Sequence, residues 1–198
     1  DVFSMTASGA TISLGTTGDF SANNIMTDAG GFTLDGANAA SAQLTIVSVS
    51  SSAAATISMG AGSGAVQISG IAAQGAVTLD ASTYDGTIDL TQISASGASI
   101  VVGPRGDFSA SLVDSAQNFV FDGSNAASAQ VTFTNVSVSG TIVVSLGSGT
   151  GALSSTDFNS TKSVTLDASK FAGSIDITNV SGSGVSLSLG TIGNFSAS

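Results

Sequence analysis

The chain has no cysteine, histidine, tryptophan or glutamate, one proline (Pro104), one tyrosine (Tyr84) and three basic residues, Arg105, Lys162 and Lys170. Without cysteine or histidine it cannot build a zinc site of nitrogen and sulfur ligands, a disulfide framework, a Ser-His-Asp triad or a Cys-His pair. Three cations against 13 acids, for a net charge of -10, leave little to neutralise phosphates. Nucleic acid and anionic lipid are therefore not expected partners. No stretch approaches the roughly 20 apolar residues that span a bilayer, so no membrane span is expected.

Apolar residues make up 42% of the chain and charged residues only 8%, against about 25% charged in ordinary domains. That is enough apolar material for a core, with serine and threonine carrying the polar surface. The absence of cysteine, the near-absence of lysine and an acid set made only of aspartate point to an extracellular protein. The chain opens at Asp1 without a charged-then-apolar leader and reads as a mature or excised piece.

Internal repetition organises all of it. FTLDGANAASAQLTI, from Phe32 to Ile46, returns as FVFDGSNAASAQVTF from Phe119 to Phe133, an offset of 87 residues. VTLDASTYDGTIDLTQIS from Val77 returns from Val164 at the same offset. SGATISLGTTGDFSA from Ser8 has relatives starting at Ser96 and Ser183. Each super-repeat of about 87 splits into halves of about 44, because the [TV]-[LF]-D strands begin at Phe32, Val77, Phe119 and Val164. Residues 1–198 thus read as one continuous repeat array. Its first and last segments align with each other, which suggests a window cut from a longer array.

Within each half, apolar residues alternate with small polar ones, as at Leu44 and Ile46, Val77 and Leu79, or Ile142, Val144 and Leu146. Period 2 bounded by Gly, Asn, Asp and Ser clusters predicts half-buried strands, and no helical stripe competes. Like strands recur about every 22 residues: Val77, Ser99, Phe119, Thr141 and Val164 head one column, and Thr87, Asp107, Val131, Ala152 and Ser174 another. The predicted class is all-β, a parallel β-solenoid with coils of about 22 residues and at least two strands per coil. Nine coils at about 4.8 Å each make a rod of roughly 43 Å.

The phrases V-T-L-D-A-S at 77–82 and G-S-I-D-I-T-N-V-S-G-S-G at 173–184, with the lack of cysteine and the aspartate-only acidity, resemble the repetitive stretches of type I secreted, RTX-related bacterial S-layer and giant adhesin proteins. The resemblance implies export in an unfolded state, folding outside the cell and a coating or mechanical role, often with calcium. The calcium nonapeptide G-G-x-G-x-D of that group is absent. Gly60-Ala61-Gly62-Ser63-Gly64 and Gly147-Ser148-Gly149-Thr150-Gly151 carry the glycines without the aspartate.

The most repeated acids are Asp35, Asp80, Asp122 and Asp167, each at the end of a predicted strand. As ligands they would suit calcium, which takes six to eight oxygens. As turn residues they would accept a backbone N–H two residues on. Asp80, Asp85 and Asp89 form the densest acid cluster, but its second copy reads Asp167, Ala172 and Asp176, so a metal site used by every unit would lose a ligand there. A glycosidase needs two carboxyls about 5 to 9.5 Å apart, a spacing within the reach of Asp85 and Asp89. An active site should break a repeat, and nothing here breaks it sharply, so no enzyme activity is expected. Phe20, Phe108 and Phe195 are expected to form a stacked ladder in the core, and Pro104-Arg105, standing where the relatives have Thr16-Thr17 and Thr191-Ile192, a solvated loop tip.

The sequence thus predicts a non-enzymatic structural module of a secreted bacterial cell-surface assembly, an S-layer or filamentous coat, whose partners are its own neighbouring repeats and further copies of itself. No cofactor is expected other than calcium. Two alternatives stand beside it: a stalk segment of a giant adhesin, and a solenoid face that binds cell-surface polysaccharide or ice. Ice binding needs a regular threonine array, and the outward positions read as a mixture of Ser, Thr, Gln, Asp and Asn without one.

Overall fold

The computed structural model describes residues 4–41, 43–190 and 193–197. Among them there is no helix, and every strand pairing is parallel. No helix is therefore long and apolar enough to cross a membrane. The chain winds as a β-solenoid of nine coils.

The first column of strands is the most regular. Ala10–Ser13, Phe32–Gly36, Ala55–Met59, Ala76–Asp80, Gly97–Val101, Phe119–Gly123, Ile142–Leu146, Ser163–Ala168 and Gly184–Leu189 lie side by side in chain order as one nine-stranded sheet. Each strand alternates because one set of side chains points into the coil and the other to solvent. Phe32, Leu34 and Gly36 are buried, for instance, while Thr33 and Asp35 between them are only partly covered.

The remaining strands form two further columns that meet at a bend. Early in the chain they are short and separate, as Leu44–Ile46 and Val49–Ser51 or Ala65–Ile68 and Ile71–Ala73. In Thr87–Ala95, Phe108–Ser115, Ala152–Ser160 and Ser174–Ser181 the two segments fuse into one strand that runs through the bend. Each coil therefore has three faces. The third is not legible as an alternation because segments such as Ile25–Thr27 and Val136–Val138 are only three residues long.

The register corrects the sequence reading in detail. In the first column Val77 pairs with Ala98, Ala98 with Phe119, Phe119 with Ile142, and Ile142 with Val164. Ser99 and Thr141 are each one residue off that line, and in the second column Phe108, not Asp107, faces Val131. In the first column a coil takes 21 to 23 residues, as the steps from Val77 to Ala98 and from Phe32 to Ala55 show, and in the other columns the step runs from 20, Ile88 to Phe108, to 24, Ile25 to Val49. Because side chains alternate at period 2, a one-residue slip sends a residue to the opposite face. Ser99 is accordingly outward and Ala98 buried. Phe32 and Phe119 are four coils apart, so the super-repeat of 87 residues is four coils and its half is two.

Solenoid coils contact only their neighbours, so the core is a column of layers. In the first super-repeat the layers are mostly aliphatic, with Leu34, Ile46, Ile57 and Ile71 all buried. In the second they turn aromatic. Phe133 sits among Phe108, Phe119, Phe121 and Phe158 with ring centroids 5.7, 5.5, 5.1 and 5.7 Å away. Two of these contacts are edge-on, at 86° and 88°, the arrangement the ring quadrupole favours. The expected ladder of Phe20, Phe108 and Phe195 does not form, since those residues recur once in four coils. Phe108 packs instead on the phenylalanines of the next coil, Phe121 at 5.6 Å and Phe133 at 5.7 Å.

Candidate functional site

The four repeated aspartates occupy one column. Asp35, Asp80, Asp122 and Asp167 face outward on alternate rungs of the nine-stranded sheet, with Ser58, Val101 and Ser145 on the rungs between. Each makes the same local bond. Its Oδ1 accepts the backbone N–H two residues on: Ala37 at 3.0 Å, Ser82 at 3.1 Å, Ser124 at 2.9 Å and Ser169 at 3.1 Å. A second turn follows, in which Ala39, Tyr84, Ala126 and Phe171 donate to the carbonyls of Gly36, Ala81, Gly123 and Ala168. Those four donors bury their side chains and plug the corner. Asx turns of this kind suit a short carboxylate at a strand end. At Asp167 the side-chain and backbone hydrogen bonds from Ser169, helped by Lys170, hold the carboxyl below its usual range. Its ionised form thus favours the folded turn above its ordinary pKa, and that contribution fades as acid protonates it.

Rungs two coils apart lie about 9.6 Å from one another, too far for these carboxylates to share one ion. The denser candidates are not gathered either. Asp80 is in its turn; Asp85 Oδ2 lies 3.6 Å from the Arg105 guanidinium; Asp89 accepts from Ser109 Oγ at 2.7 Å. Asp176, the counterpart of Asp89, accepts from Ser196 Oγ at 2.6 Å. Among the described residues no three acids come together as a metal-holding group. If the column's role is the turn, Asp122→Asn keeps the accepting oxygen and should leave stability within about 0.5 kcal/mol of the parent, whereas Asp122→Ala should cost about 1 kcal/mol. Urea titrations of both variants, with and without calcium, test this; an Asn variant as weak as Ala would point to the charge, and hence to an ion.

No protein-family model, curated protein or solved structure matches this chain. The geometry therefore carries the functional reading alone.

Two sets of contacts between coils were not foreseen from the sequence. Asp19 and Asp107, in the repeated G-D-F phrase, reach across to the next coil, where their Oδ1 atoms accept the backbone N–H of Gln43 at 3.2 Å and Gln130 at 2.9 Å. The recurrence of the phrase was the signal; the partner, more than twenty residues away, was not. The second set is the Asp85–Arg105 pair. Both residues depart from the repeat, Asp85 standing where the second copy has Ala172, and the coil stack makes them neighbours. Arg105 is mostly exposed, as expected of a loop tip, so the pair adds little stability. The carbonyl of Pro104 nevertheless has a structural use, accepting the N–H groups of Ala127 and Ser128. Its relatives Thr191 and Ile192 lie outside the described residues.

Tyr84 also breaks the repeat. It is 1% exposed and its hydroxyl has no partner, in the place that Phe171 fills in the second copy. Burial pushes its pKa up from 10.0. An unpartnered buried hydroxyl is destabilising, so Tyr84→Phe should raise unfolding stability by about 1 kcal/mol at neutral pH. The sign of the linkage is fixed. A raised folded pKa leaves the parent losing stability as pH climbs past the ordinary tyrosine range, where the unfolded chain ionises first. The advantage of Tyr84→Phe in urea titrations should therefore widen above pH 10; a gap that narrows there would contradict the burial argument.

The outward side of the nine-stranded sheet differs from expectation. Thr11, Thr33, Thr56 and Thr78 lie in consecutive register and all face solvent, forming the regular column that the sequence did not disclose. Ser99, Val120 and Val143 interrupt it before Thr165.

Proposed function

We propose that this chain is a structural repeat module of a secreted bacterial surface assembly, acting as a stiff rod that associates with further copies. One observation carries the reading: all four of the most repeated acids close turns within the coil, which is what a repeat kept for its own architecture requires. Rod stiffness follows from continuous parallel hydrogen bonding along three faces, with each coil bonded to the one before and after. Outer faces made of small polar residues at low charge density offer little repulsion to lateral contact. Electron microscopy of the purified protein in millimolar calcium, and again in chelator, tests the proposal. Ordered filaments or sheets are expected. Dispersed rods in both conditions would defeat assembly and favour an adhesin stalk, while polymers that dissolve only in chelator would assign calcium a place between copies.

The threonine column supports a second reading, in which the first face binds a regular surface such as ice or a polysaccharide. On four consecutive rungs, Thr11, Thr33, Thr56 and Thr78, the column presents a methyl and a hydroxyl each, about 4.8 Å apart. Ice-affinity and glycan-binding assays that both give no retention would dispose of it.

A further inference from the structure

In the second super-repeat the glycine-rich corner of 147–151 lies between the corners closed by the Asp122 and Asp167 turns, and a hollow of about 330 Å³ opens over it. Ser145 and Leu146 are the more covered part of its lining, and Ser124, Ser148, Asp167 and Lys170 the exposed part. Further strands lie beyond both walls, Gly97–Val101 on one side and Gly184–Leu189 on the other, so the hollow belongs to the interior of the stack and not to either end. The same corner 87 residues earlier shows what this one has added. Ser124, Ser148 and Lys170 stand where the first super-repeat has Ala37, Ala61 and Thr83, whereas Ser145, Asp167 and Ser169 match Ser58, Asp80 and Ser82. The turn does not require the additions, because Ala37 and Ser124 alike donate a backbone N–H to their aspartate. Lys170 forms no ion pair among the described residues. It is near enough to Asp167 to help keep that carboxyl ionised.

We propose that this hollow is a binding site for a neutral saccharide of one or two pyranose rings, whose vicinal hydroxyls bridge the Asp167 carboxylate and the Lys170 ammonium while Ser124 and Ser148 add bonds at the rim. An ionised carboxylate only accepts hydrogen bonds and an ammonium only donates them. Here the two stand three residues apart on one turn, and a sugar diol, which donates from one hydroxyl and accepts at the other, satisfies both. A simple anion would be repelled by Asp167 and a simple cation by Lys170. The volume is at the lower end for small-molecule sites, about 300–1,000 Å³, which suits one or two rings. Its lining carries no aromatic ring, so affinity is low, with Kd of about 1 mM. The site is separate from the threonine column, which lies on the first four coils.

The test is amide NMR of the 198-residue chain titrated with the methyl glycosides of glucose, mannose, galactose and N-acetylglucosamine, and separately with sodium sulfate. At least one glycoside should give saturable shifts at residues 124, 148, 169 and 170, and none at 37, 61, 82 and 83. The triple variant Ser124→Ala, Ser148→Ala, Lys170→Thr carries only residues that the first super-repeat already holds at the same corner. It should keep the circular dichroism spectrum of the parent and bind about tenfold more weakly or not at all. No saturable shift with any of the four glycosides, equal shifts at both corners of the parent, a triple variant that binds like the parent, or sulfate binding more tightly than every glycoside would overturn the proposal.

Discussion

Phe133→Ala is expected to destabilise the chain by about 3–5 kcal/mol, the range for removing a fully buried phenylalanine. The residue is 1% exposed and touches four other rings, so truncation leaves a cavity walled by groups that are themselves held in strands. Relaxation is limited because Phe108, Phe119 and Phe121 belong to two paired coils and cannot move inward without breaking register. Phe133→Leu keeps more of the volume and should cost roughly 1–1.5 kcal/mol. Val120→Ala, on the outward side of the same coil and 37% exposed, should fall within about 0.5 kcal/mol of the parent. Guanidinium denaturation followed by far-ultraviolet circular dichroism measures all three. A loss at Val120 as large as that at Phe133 would mean that the aromatic cluster is not the anchor of this half. Since each coil contacts only its neighbours, the Phe133→Ala transition should also broaden, with the second super-repeat melting ahead of the first.

How far the sequence carries can be judged from particular residues. The coil was legible because the repeat at 87 residues and the alternation within strands are both local patterns in a one-dimensional string. The Asp35, Asp80, Asp122 and Asp167 turns were open to a correct physical reading, since an Asx turn needs only the residue two positions on. The bonds of Asp19 and Asp107 were not, because their partners belong to the next coil. Column membership at Ser99, Thr141 and Val131 was off by one for a related reason: coil length varies by a residue or two, and nothing within a coil announces which corner absorbs the change. The threonine column was hidden by the same uncertainty, as it appears only once Thr11, Thr33, Thr56 and Thr78 are set in true register.

The glycine corners explain why five of the nine coils carry no aspartate at that corner, and they supply the sharpest stability test. Aspartate corners and glycine corners alternate along the stack, and at the coils of 55–68 and 142–155 the glycine corner nests against the backbone of the aspartate corner before it. A Cβ on Gly60 would stand 2.0 Å from the Ala37 carbonyl oxygen, and one on Gly147 would stand 1.9 Å from that of Ser124. These are counterparts 87 residues apart, and the obstacle in both is main chain, which cannot swing aside as a side chain can. Gly147→Ala must therefore push one coil off the next or break the turn, and overpacking of this kind costs about 2–3 kcal/mol or more. Gly60→Ala should do the same. Gly15 is the control, with nothing within 4 Å of its added Cβ. Gly15→Ala should be neutral or stabilising by up to about 0.5 kcal/mol through the unfolded chain. Thermal melts of the three variants separate the cases: a Gly147→Ala protein as stable as Gly15→Ala would show that the corners are not in close contact, and the missing aspartates of the glycine motif would then need an explanation other than steric nesting.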